Sequence, residues 1–181
     1  MDVARTTEEE FAMALTREHR LNFASLNCEG VKKANAYISN LLSADKCDFL
    51  LLQEKWILDS DLPRLNALHP EYLAIGKSGV DDRIRILPGR PSGGVAILYS
   101  KRHARSVRCI SSDNRRICGL QIAPDAGPVT LIISVYMPCD NYSHSNVSVE
   151  FERALDELER ILHAYEYDNC IIGGDFNTCF Q

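Results

Sequence analysis

The sequence has no apolar run of about 18 residues, no apolar stretch behind its N-terminus and no Cys-x-x-Cys pair. The first two absences argue against a membrane-spanning helix and a secretory signal. The seven cysteines are odd in number and scattered along the chain, which argues against a zinc site and against a disulfide framework. We therefore expect an intracellular protein in a reducing setting, with no membrane contact and no obligate protein partner.

Signs of disorder are also absent, because 45% of the 181 residues are apolar. This length suits one domain with a substantial core. Residues 1–20 are polar and predict a helical extension that precedes the first core strand. Residues 21–181 are predicted to form the domain itself or a part of it.

The distribution of charge is uneven. The net charge of −5 taken alone would discourage binding to nucleic acid, but the stretch from Lys77 to Arg116 contains ten basic and three acidic residues. A polyanionic partner such as DNA, held beside an acidic site, would explain this polarity. Solvated loops and strand faces that happen to be basic would explain it equally well. The candidates for phosphate contacts are Arg115, Arg116, Lys101 and Arg102.

Short apolar strands alternate with stretches of helical periodicity. The patterns predict strands at 21–26, 48–52, 128–135 and 169–172, a series of short antiparallel strands within 72–122, and helices at 31–44 and 148–165. The order strand, helix, strand is typical of sheets that carry helices on their faces and sites at their strand ends.

Polar side chains directly follow four of the apolar strands: Asn27, Glu54, Tyr136, and Asp175 with Asn177. In the last cluster, Gly173 and Gly174 predict a tight turn at the strand end, and Asp175 and Asn177 would share one face of an extended segment. Each cluster alone is also typical of an ordinary turn. Convergence of several strand ends at one edge of a sheet structure, however, is a common way to build a site.

Five motifs carry a resemblance to a known family: SLNCEG, LLLQEKW, GGVAILYS, ISVYMP and GGDFNT. In this order and spacing they resemble the endonuclease/exonuclease/phosphatase superfamily, to which DNase-I-like and abasic-site endonucleases belong. The segment GRPSGGVAILYS followed by RRICGLQI is most similar to the endonuclease domains of LINE-type retrotransposons. The resemblance implies a DNase-I-like four-layered α/β sandwich, N-terminal half or more. It also implies a DNA-nicking phosphodiesterase that uses Mg²⁺ or Mn²⁺ and is nuclear if derived from a retrotransposon.

The resemblance also implies roles for the five polar residues. Glu54 matches the metal-ligating glutamate, and Asn27 matches the asparagine that supports that ligand and the metal-bound water. Tyr136 matches the tyrosine that contacts the scissile phosphate. Asp175 matches the aspartate that orients or deprotonates the attacking water, and Asn177 the asparagine that holds the phosphate or that water. Mg²⁺ takes oxygen ligands and keeps several waters, so one or two carboxylates and a phosphate would suffice to bind it.

The sequence departs from the family pattern at three places. Glu29 replaces an aspartate of many repair enzymes, Cys139 replaces an asparagine, and the family's closing Asp-His pair has no candidate, since His144 and His163 are poor substitutes. We therefore expect a partial domain with little or no activity of its own and with exposed apolar sheet surface. The alternatives are a non-catalytic protein that binds nucleic acid or metal, and a relative that acts on phosphoinositide or phospholipid headgroups.

Overall fold

Two four-stranded sheets form the centre of the computed structural model, which describes residues 20–43, 47–80, 92–139 and 147–178. The first sheet contains β1 (Phe23–Asn27), β2 (Phe49–Gln53), β3 (Tyr72–Lys77) and β4 (Val95–Ser100) in the order β1-β2-β4-β3. The second contains β5 (Val107–Ile110), β6 (Ile117–Ile122), β7 (Thr130–Tyr136) and β8 (Asn169–Asp175) in chain order. The other described elements are the helices α1 (Val31–Ser43) and α2 (Val147–Ala164) and the 3₁₀ segments Asp59–Ala67 and Lys101–His103.

Strand β2 shows why an uninterrupted apolar run forms a central strand here. Leu50 and Leu52 pack with α1 on one face, whereas Phe49 and Leu51 meet the second sheet on the other. Because side chains alternate between the two faces, a strand that is covered on both sides must be apolar throughout. All five residues of β2 are buried, and burial of each leucine side chain contributes about 1.5–3 kcal/mol.

The helices cover the outer faces of the two sheets. In α1, Ile38 and Leu42 belong to the same core cluster as Leu50 and Leu52 of β2. On the other side, α2 packs its buried Ala154, Leu158 and Ile161 against Leu131 and Ile133 of β7. The layers therefore run helix, sheet, sheet, helix, which confirms the predicted four-layered α/β sandwich.

Most of the predicted elements are present. Helices α1 and α2 begin and end within one residue of the predicted bounds. The antiparallel pairing predicted for 72–122 is confirmed, although this stretch is divided between the sheets, with β3 paired to β4 and β5 to β6. Of the predicted N-terminal extension, all but Arg20 lies outside the described residues. Within the described ranges, no helix is both long and apolar enough to cross a membrane.

The glycine pair before Asp175 is inside a strand, so the predicted tight turn was wrong. Strand β8 continues through Gly173 and Gly174 to Asp175, which is still paired with β7. A Cβ atom at Gly173 would lie 2.9 Å from the Leu51 Cδ2 atom, and one at Gly174 would lie 2.0 Å from the carbonyl oxygen of Val135. Gly174 therefore requires glycine because β7 approaches too closely for a side chain, whereas the atom nearest to an added Cβ at Gly173 is the end of the flexible Leu51 side chain.

An ion pair fastens α2 to the loop before β6. Glu157 accepts two hydrogen bonds from Arg160, at 2.7 Å from Nε and 2.9 Å from Nη2, and Arg160 Nη2 also donates to the Ser111 carbonyl at 3.0 Å. The bond from Arg160 lowers the pKa of the Glu157 carboxyl from 4.5 to about 2. A carboxyl with a lowered folded-state pKa contributes stability above its unfolded pKa and loses it as the pH falls toward the folded pKa.

Glu157→Gln should therefore lower the free energy of unfolding at pH 7 by about 1 kcal/mol, because the half-exposed Arg160 is screened by solvent. The difference from the unsubstituted chain should shrink as the pH falls through 4.5 toward 2. Urea denaturation across this pH range measures this difference in the free energy of unfolding. Glu152→Gln, an exposed site on the same helix, serves as the control. A difference that stays constant with pH would contradict this assignment.

Candidate active site

Four strand ends meet at one end of the sandwich. Strands β1 and β2 are parallel, as are β7 and β8, and a helix connects the members of each pair. The carboxyl ends of these strands carry Asn27, Glu54, Tyr136 and Asp175. Parallel strands joined by helical crossovers end on the same side of their sheet, so two such pairs can bring four polar side chains together.

Hydrogen bonds join these side chains across the two sheets. The Asn27 Nδ2 atom donates to Glu54 Oε1 at 3.0 Å and to Asp175 Oδ2 at 2.8 Å. The Tyr136 hydroxyl donates to the same Glu54 Oε1 atom at 2.9 Å. One amide thus bridges two carboxylates, which stabilises a pair of negative groups that would otherwise repel each other.

Asn177 completes the cluster on the side of β8. Its backbone N–H donates to Asp175 Oδ1 at 3.0 Å, and its side-chain Nδ2 donates to the Met137 carbonyl at 2.8 Å. Both oxygens of Asp175 therefore accept hydrogen bonds, one from Asn27 and one from this Asx-type turn. The structure thus brings together all five residues that the sequence analysis singled out as catalytic candidates.

Backbone strain is concentrated at the same end of the sandwich. In the described ranges the residues other than glycine with positive φ are Glu29 (42°), Glu54 (53°), Trp56 (52°) and Asn177 (47°). Each such residue costs about 1–3 kcal/mol and persists only where its surroundings hold it. Backbone hydrogen bonds do so here, since Gly30 N–H donates to the Glu54 carbonyl at 2.7 Å and Trp56 N–H to the Gly93 carbonyl at 3.1 Å.

Buried polar residues support the cluster from below, and the sequence analysis missed them. Gln53 accepts a hydrogen bond from Ser25 at 3.3 Å and donates to Ser134 at 3.1 Å, which links β1, β2 and β7. Lys55 is fully buried, its Nζ atom donates to the Ile57 carbonyl at 3.3 Å, and burial lowers its pKa to about 8. A glutamine that ends a buried leucine run was the available signal, because such a group needs a partner.

A cleft of about 810 Å³ opens beside Glu54. Trp56 and the Gly93-Gly94 backbone line it near β2 and β4, and basic side chains line it further along. The described basic residues of the cleft are Arg115, Arg116 and Arg153. The carboxylate cluster therefore lies at the edge of a groove that carries several positive charges.

Two of these arginines are held by carboxylates. Arg115 Nη1 lies 2.8 Å from Asp59 Oδ2, and Arg116 Nη2 lies 2.8 Å from Glu150 Oε2. The Arg116 guanidinium carbon is also 5.8 Å from the centre of the Tyr136 ring, which makes a cation–π contact. Both arginines line the cleft with these contacts already made, so an incoming phosphate would have to compete with Asp59 and Glu150.

Lys101 and Arg102 lie at the opposite end of the sandwich, so the structure does not bring them together with the cleft. They follow the last residue of β4, and Arg102 pairs with Asp48, which precedes the first residue of β2. His103 Nε2 lies 2.9 Å from the same carboxylate. The basic stretch of the sequence is therefore divided between two ends of the fold, because β4 runs antiparallel to β2.

The sequence from residue 24 to residue 180 matches the model of the Endonuclease/Exonuclease/phosphatase family. The chain belongs to this family. No curated protein matches the sequence.

Solved structures share the fold at low sequence identity. The 3′ phosphatase NExo from Neisseria, bound to a product DNA hairpin, has a TM-score of 0.63 and 15% identity, with 87% of this chain and 58% of that chain covered. The AP endonuclease LMAP from Leishmania major has a TM-score of 0.66 and 15% identity, with 86% and 55% covered. A humanized TDP2 from D. rerio has a TM-score of 0.58 and 19% identity, with 88% and 63% covered. The chain thus spans little more than half the length of these proteins.

The carboxylate and amide oxygens of the Glu54 cluster suit a hard divalent cation. No group of three or more His, Cys, Asp or Glu residues that could hold a metal occurs in the described part of the chain. A cation would instead rest on Glu54, with the Asn27 and Asp175 oxygens beside it. Mg²⁺ and Mn²⁺ accept such oxygen ligands and complete their shells with water and phosphate.

The protonation of Tyr136 follows from its surroundings. Burial, and then its hydrogen bond to the Glu54 carboxylate, raise the pKa of the Tyr136 hydroxyl to about 12. The phenol therefore keeps its proton at neutral pH and serves as a donor. Such a donor can stabilise negative charge on an oxygen in its vicinity, whether a carboxylate or a phosphate.

The histidines within the described ranges lie elsewhere. His103 contacts Asp48 at the far end, His69 accepts a hydrogen bond from the Glu71 N–H, and the exposed His163 lies 2.9 Å from the carbonyl of Glu159 on its own helix. His144 lies outside the described residues. Of the two departures near the site, Glu29 pairs with Lys33 of α1, and the exposed Cys139 lines the cleft.

Proposed function

We propose that this chain is part of a divalent-metal-dependent phosphodiesterase that cleaves the DNA backbone at the Glu54 cluster. The observation that carries the proposal is the single Asn27 amide that bridges the Glu54 and Asp175 carboxylates beside a groove with several arginines. DNA is favoured as the substrate because one protein of similar fold is bound to a product DNA hairpin and another is an AP endonuclease.

In this proposal each residue of the cluster has a distinct task. Glu54 and Asn27 would hold Mg²⁺ or Mn²⁺, and such an ion would neutralise charge that develops on the phosphate and on the leaving oxygen. Asp175 orients the attacking water and accepts its proton, while the Asn177 turn fixes the Asp175 carboxylate. Tyr136, which stays protonated and donates to Glu54 in the structure, would turn this hydrogen bond toward the phosphate.

The finer form of the proposal is a nicking endonuclease of the LINE retrotransposon type, which would act in the nucleus. It rests on the motifs GGVAILYS and RRICGLQI. The two glycines of the first motif line the cleft, and Arg116, the second residue of the other motif, contacts Tyr136. Sequence-independent contacts to DNA phosphates would position the strand for cleavage.

We also propose that turnover by these 181 residues alone is slow. None of the histidines His69, His103 and His163 contacts the Glu54 cluster. A general acid or base typically contributes about 10²–10⁴ to the rate. Because no histidine of the described residues reaches the cluster, we expect the chain to cleave DNA weakly.

The experiment is a plasmid-nicking assay on the purified 181-residue chain, with Mg²⁺ or with EDTA. Weak conversion of supercoiled to open-circular DNA is expected with Mg²⁺ only. It should be lost in Glu54→Ala, which also reports any contaminating nuclease. The phosphodiesterase proposal fails if no conversion depends on Glu54. Rapid nicking that disappears in Glu54→Ala would overturn only the proposal of slow turnover.

The arginines of the cleft provide a separate prediction about binding. Replacing Arg115 and Arg116 together by alanine should lower the salt slope of DNA affinity by about 1 to 2 units, because each neutralised phosphate contributes about 0.9. Fluorescence anisotropy with labelled duplex at several salt concentrations measures the slope. The matched control is the pair Arg105→Ala and Arg108→Ala, exposed residues outside the cleft. Equal slopes for the two double variants would make Arg115 and Arg116 ordinary surface charges.

A further inference from the structure

The ion pair between Arg116 and Glu150 lies in the cleft, and Glu150 has no task in the proposed cleavage chemistry. Arg116 Nη2 donates to Glu150 Oε2 at 2.8 Å, and both residues line the cleft. Their side chains are 32% and 51% exposed, so a ligand in the cleft can reach the pair. An ion pair this exposed contributes little or nothing measurable to stability. The fold therefore gains little from the carboxylate on this arginine.

Arg116 is held in place by contacts other than Glu150. Its backbone N–H donates to Asn114 Oδ1 at 2.9 Å, and its carbonyl accepts the Tyr136 N–H at 2.9 Å. Its guanidinium carbon lies 5.8 Å from the centre of the Tyr136 ring, and the hydroxyl of that ring donates to Glu54 Oε1. The Arg116 guanidinium therefore lies beside the tyrosine that we assign to the phosphate.

The neighbouring Arg115 is bound differently. Its Nη1 atom donates to Asp59 Oδ2 at 2.8 Å and to the backbone carbonyl of Val80 at 3.1 Å. Arg115 thus joins the loop before β6 to the 3₁₀ segment and to the chain that follows β3. Moving this side chain would leave a backbone carbonyl without its donor, which is costly where water cannot replace it. Of the two arginines, Arg116 is therefore better suited to exchange its carboxylate for a phosphate.

We propose that Glu150 occupies the position of a substrate phosphate on Arg116 and is displaced when DNA binds. The inference rests on the proposed function and adds to it the residue that receives the phosphate and the residue that competes with the phosphate. Carboxylate and phosphate oxygens accept the same hydrogen bonds from a guanidinium, so one can replace the other. Arg153 lies three residues after Glu150 on α2 and also lines the cleft, so Glu150 can turn to it on leaving Arg116.

Removing the competing carboxylate should strengthen DNA binding. Glu150→Gln should raise the affinity for a labelled duplex at low salt by about 2- to 5-fold, which corresponds to the contribution of an exposed ion pair. Fluorescence anisotropy in EDTA, which prevents metal-dependent cleavage, measures the affinity. The matched control is Glu152→Gln, which removes the same charge from an exposed position on the same helix outside the cleft lining. The control should raise the affinity much less.

A double-mutant cycle with Arg116→Ala identifies the cause of the gain. If Glu150 acts by occupying Arg116, the gain should disappear once Arg116 is replaced, because no guanidinium is left to be released. In the Arg116→Ala background, Glu150→Gln should therefore have no more effect on DNA affinity than Glu152→Gln has. Circular dichroism verifies that all of these variants fold.

The possible results separate this inference from the proposed function. An unchanged or lower DNA affinity in Glu150→Gln, an equal gain in Glu152→Gln, or an equal gain with and without Arg116 would overturn the role of Glu150 alone. DNA binding itself would stand in each of these cases. If the unsubstituted chain and every variant fail to bind the duplex at low salt, the proposed action on DNA fails together with the role of Glu150.

Discussion

Replacing Glu54 by glutamine should weaken Mn²⁺ binding at least about 100-fold and remove the weak Mg²⁺-dependent nicking. Loss of supporting groups around a metal commonly costs 10- to 100-fold in affinity, and a lost charged ligand should cost no less. The neutral amide keeps the size of the side chain, so the fold should survive. The carbonyl oxygen of the glutamine can still accept the hydrogen bond that the Asn27 amide donates to Glu54 in the unsubstituted chain.

Calorimetric titration of the chain with Mn²⁺ measures this effect without requiring turnover. Asp175→Asn should bind Mn²⁺ more weakly than the unsubstituted chain but better than Glu54→Gln, since Asp175 is assigned to the water. The control is Glu71→Gln, an exposed carboxylate beside the start of β3, at the far end of the sandwich. Equal Mn²⁺ affinity in Glu54→Gln and Glu71→Gln would remove Glu54 from the metal site.

Replacing Gly174 by alanine should destabilise the fold by about 4 kcal/mol or more, and much of the protein is expected to be insoluble. The new Cβ atom would lie 2.0 Å from the carbonyl oxygen of Val135. Val135 is the residue of β7 that is paired with Gly174 of β8. The φ of 153° adds conformational strain for any side chain. Strands β7 and β8 would have to separate, and Asp175 would move away from Asn27.

Gly127→Ala provides the matched control for this prediction. Gly127 also has a positive φ, 119°, but the nearest atom to an added Cβ lies 3.7 Å away on Pro124. It should therefore cost only about 1 kcal/mol, the conformational part of the effect. Urea denaturation of both variants separates this part from the steric clash. Similar losses of stability in the two variants would show that backbone strain alone accounts for the effect. The close approach of β7 and β8 would then be unimportant.

The elements and the polar strand ends were predictable because they depend on local patterns. The uninterrupted run of β2 indicated a strand covered on both faces, and the apolar stripe of α2 indicated one buried helix face. Glu54 directly follows such a strand, and the last residues of three others are Asn27, Tyr136 and Asp175. The strands of each parallel pair, β1-β2 and β7-β8, end at the same edge of their sheet. These residues therefore come together if the two pairs pack face to face in the same orientation.

The failures concern interactions that no local pattern records. The glycines 173 and 174 do not form the expected turn: both lie inside β8, and the close approach of β7 requires glycine at position 174. Lys101 and Arg102 were grouped with the arginines of the cleft by their position in the sequence, yet β4 carries them to the other end. Charge along a chain does not show on which surface it will lie.

The sequence by itself determined the class of fold, the family and the identity of the five clustered residues, because periodicity and motif order are properties of neighbouring positions. The tertiary structure alone decided that one amide of Asn27 joins carboxylates from two sheets, that Trp56 lines a basic cleft, and that Arg116 lies over Tyr136. These contacts join residues far apart in the chain, and their geometry depends on how the sheets pack together. Packing is a property of the whole sandwich, so no single segment specifies it.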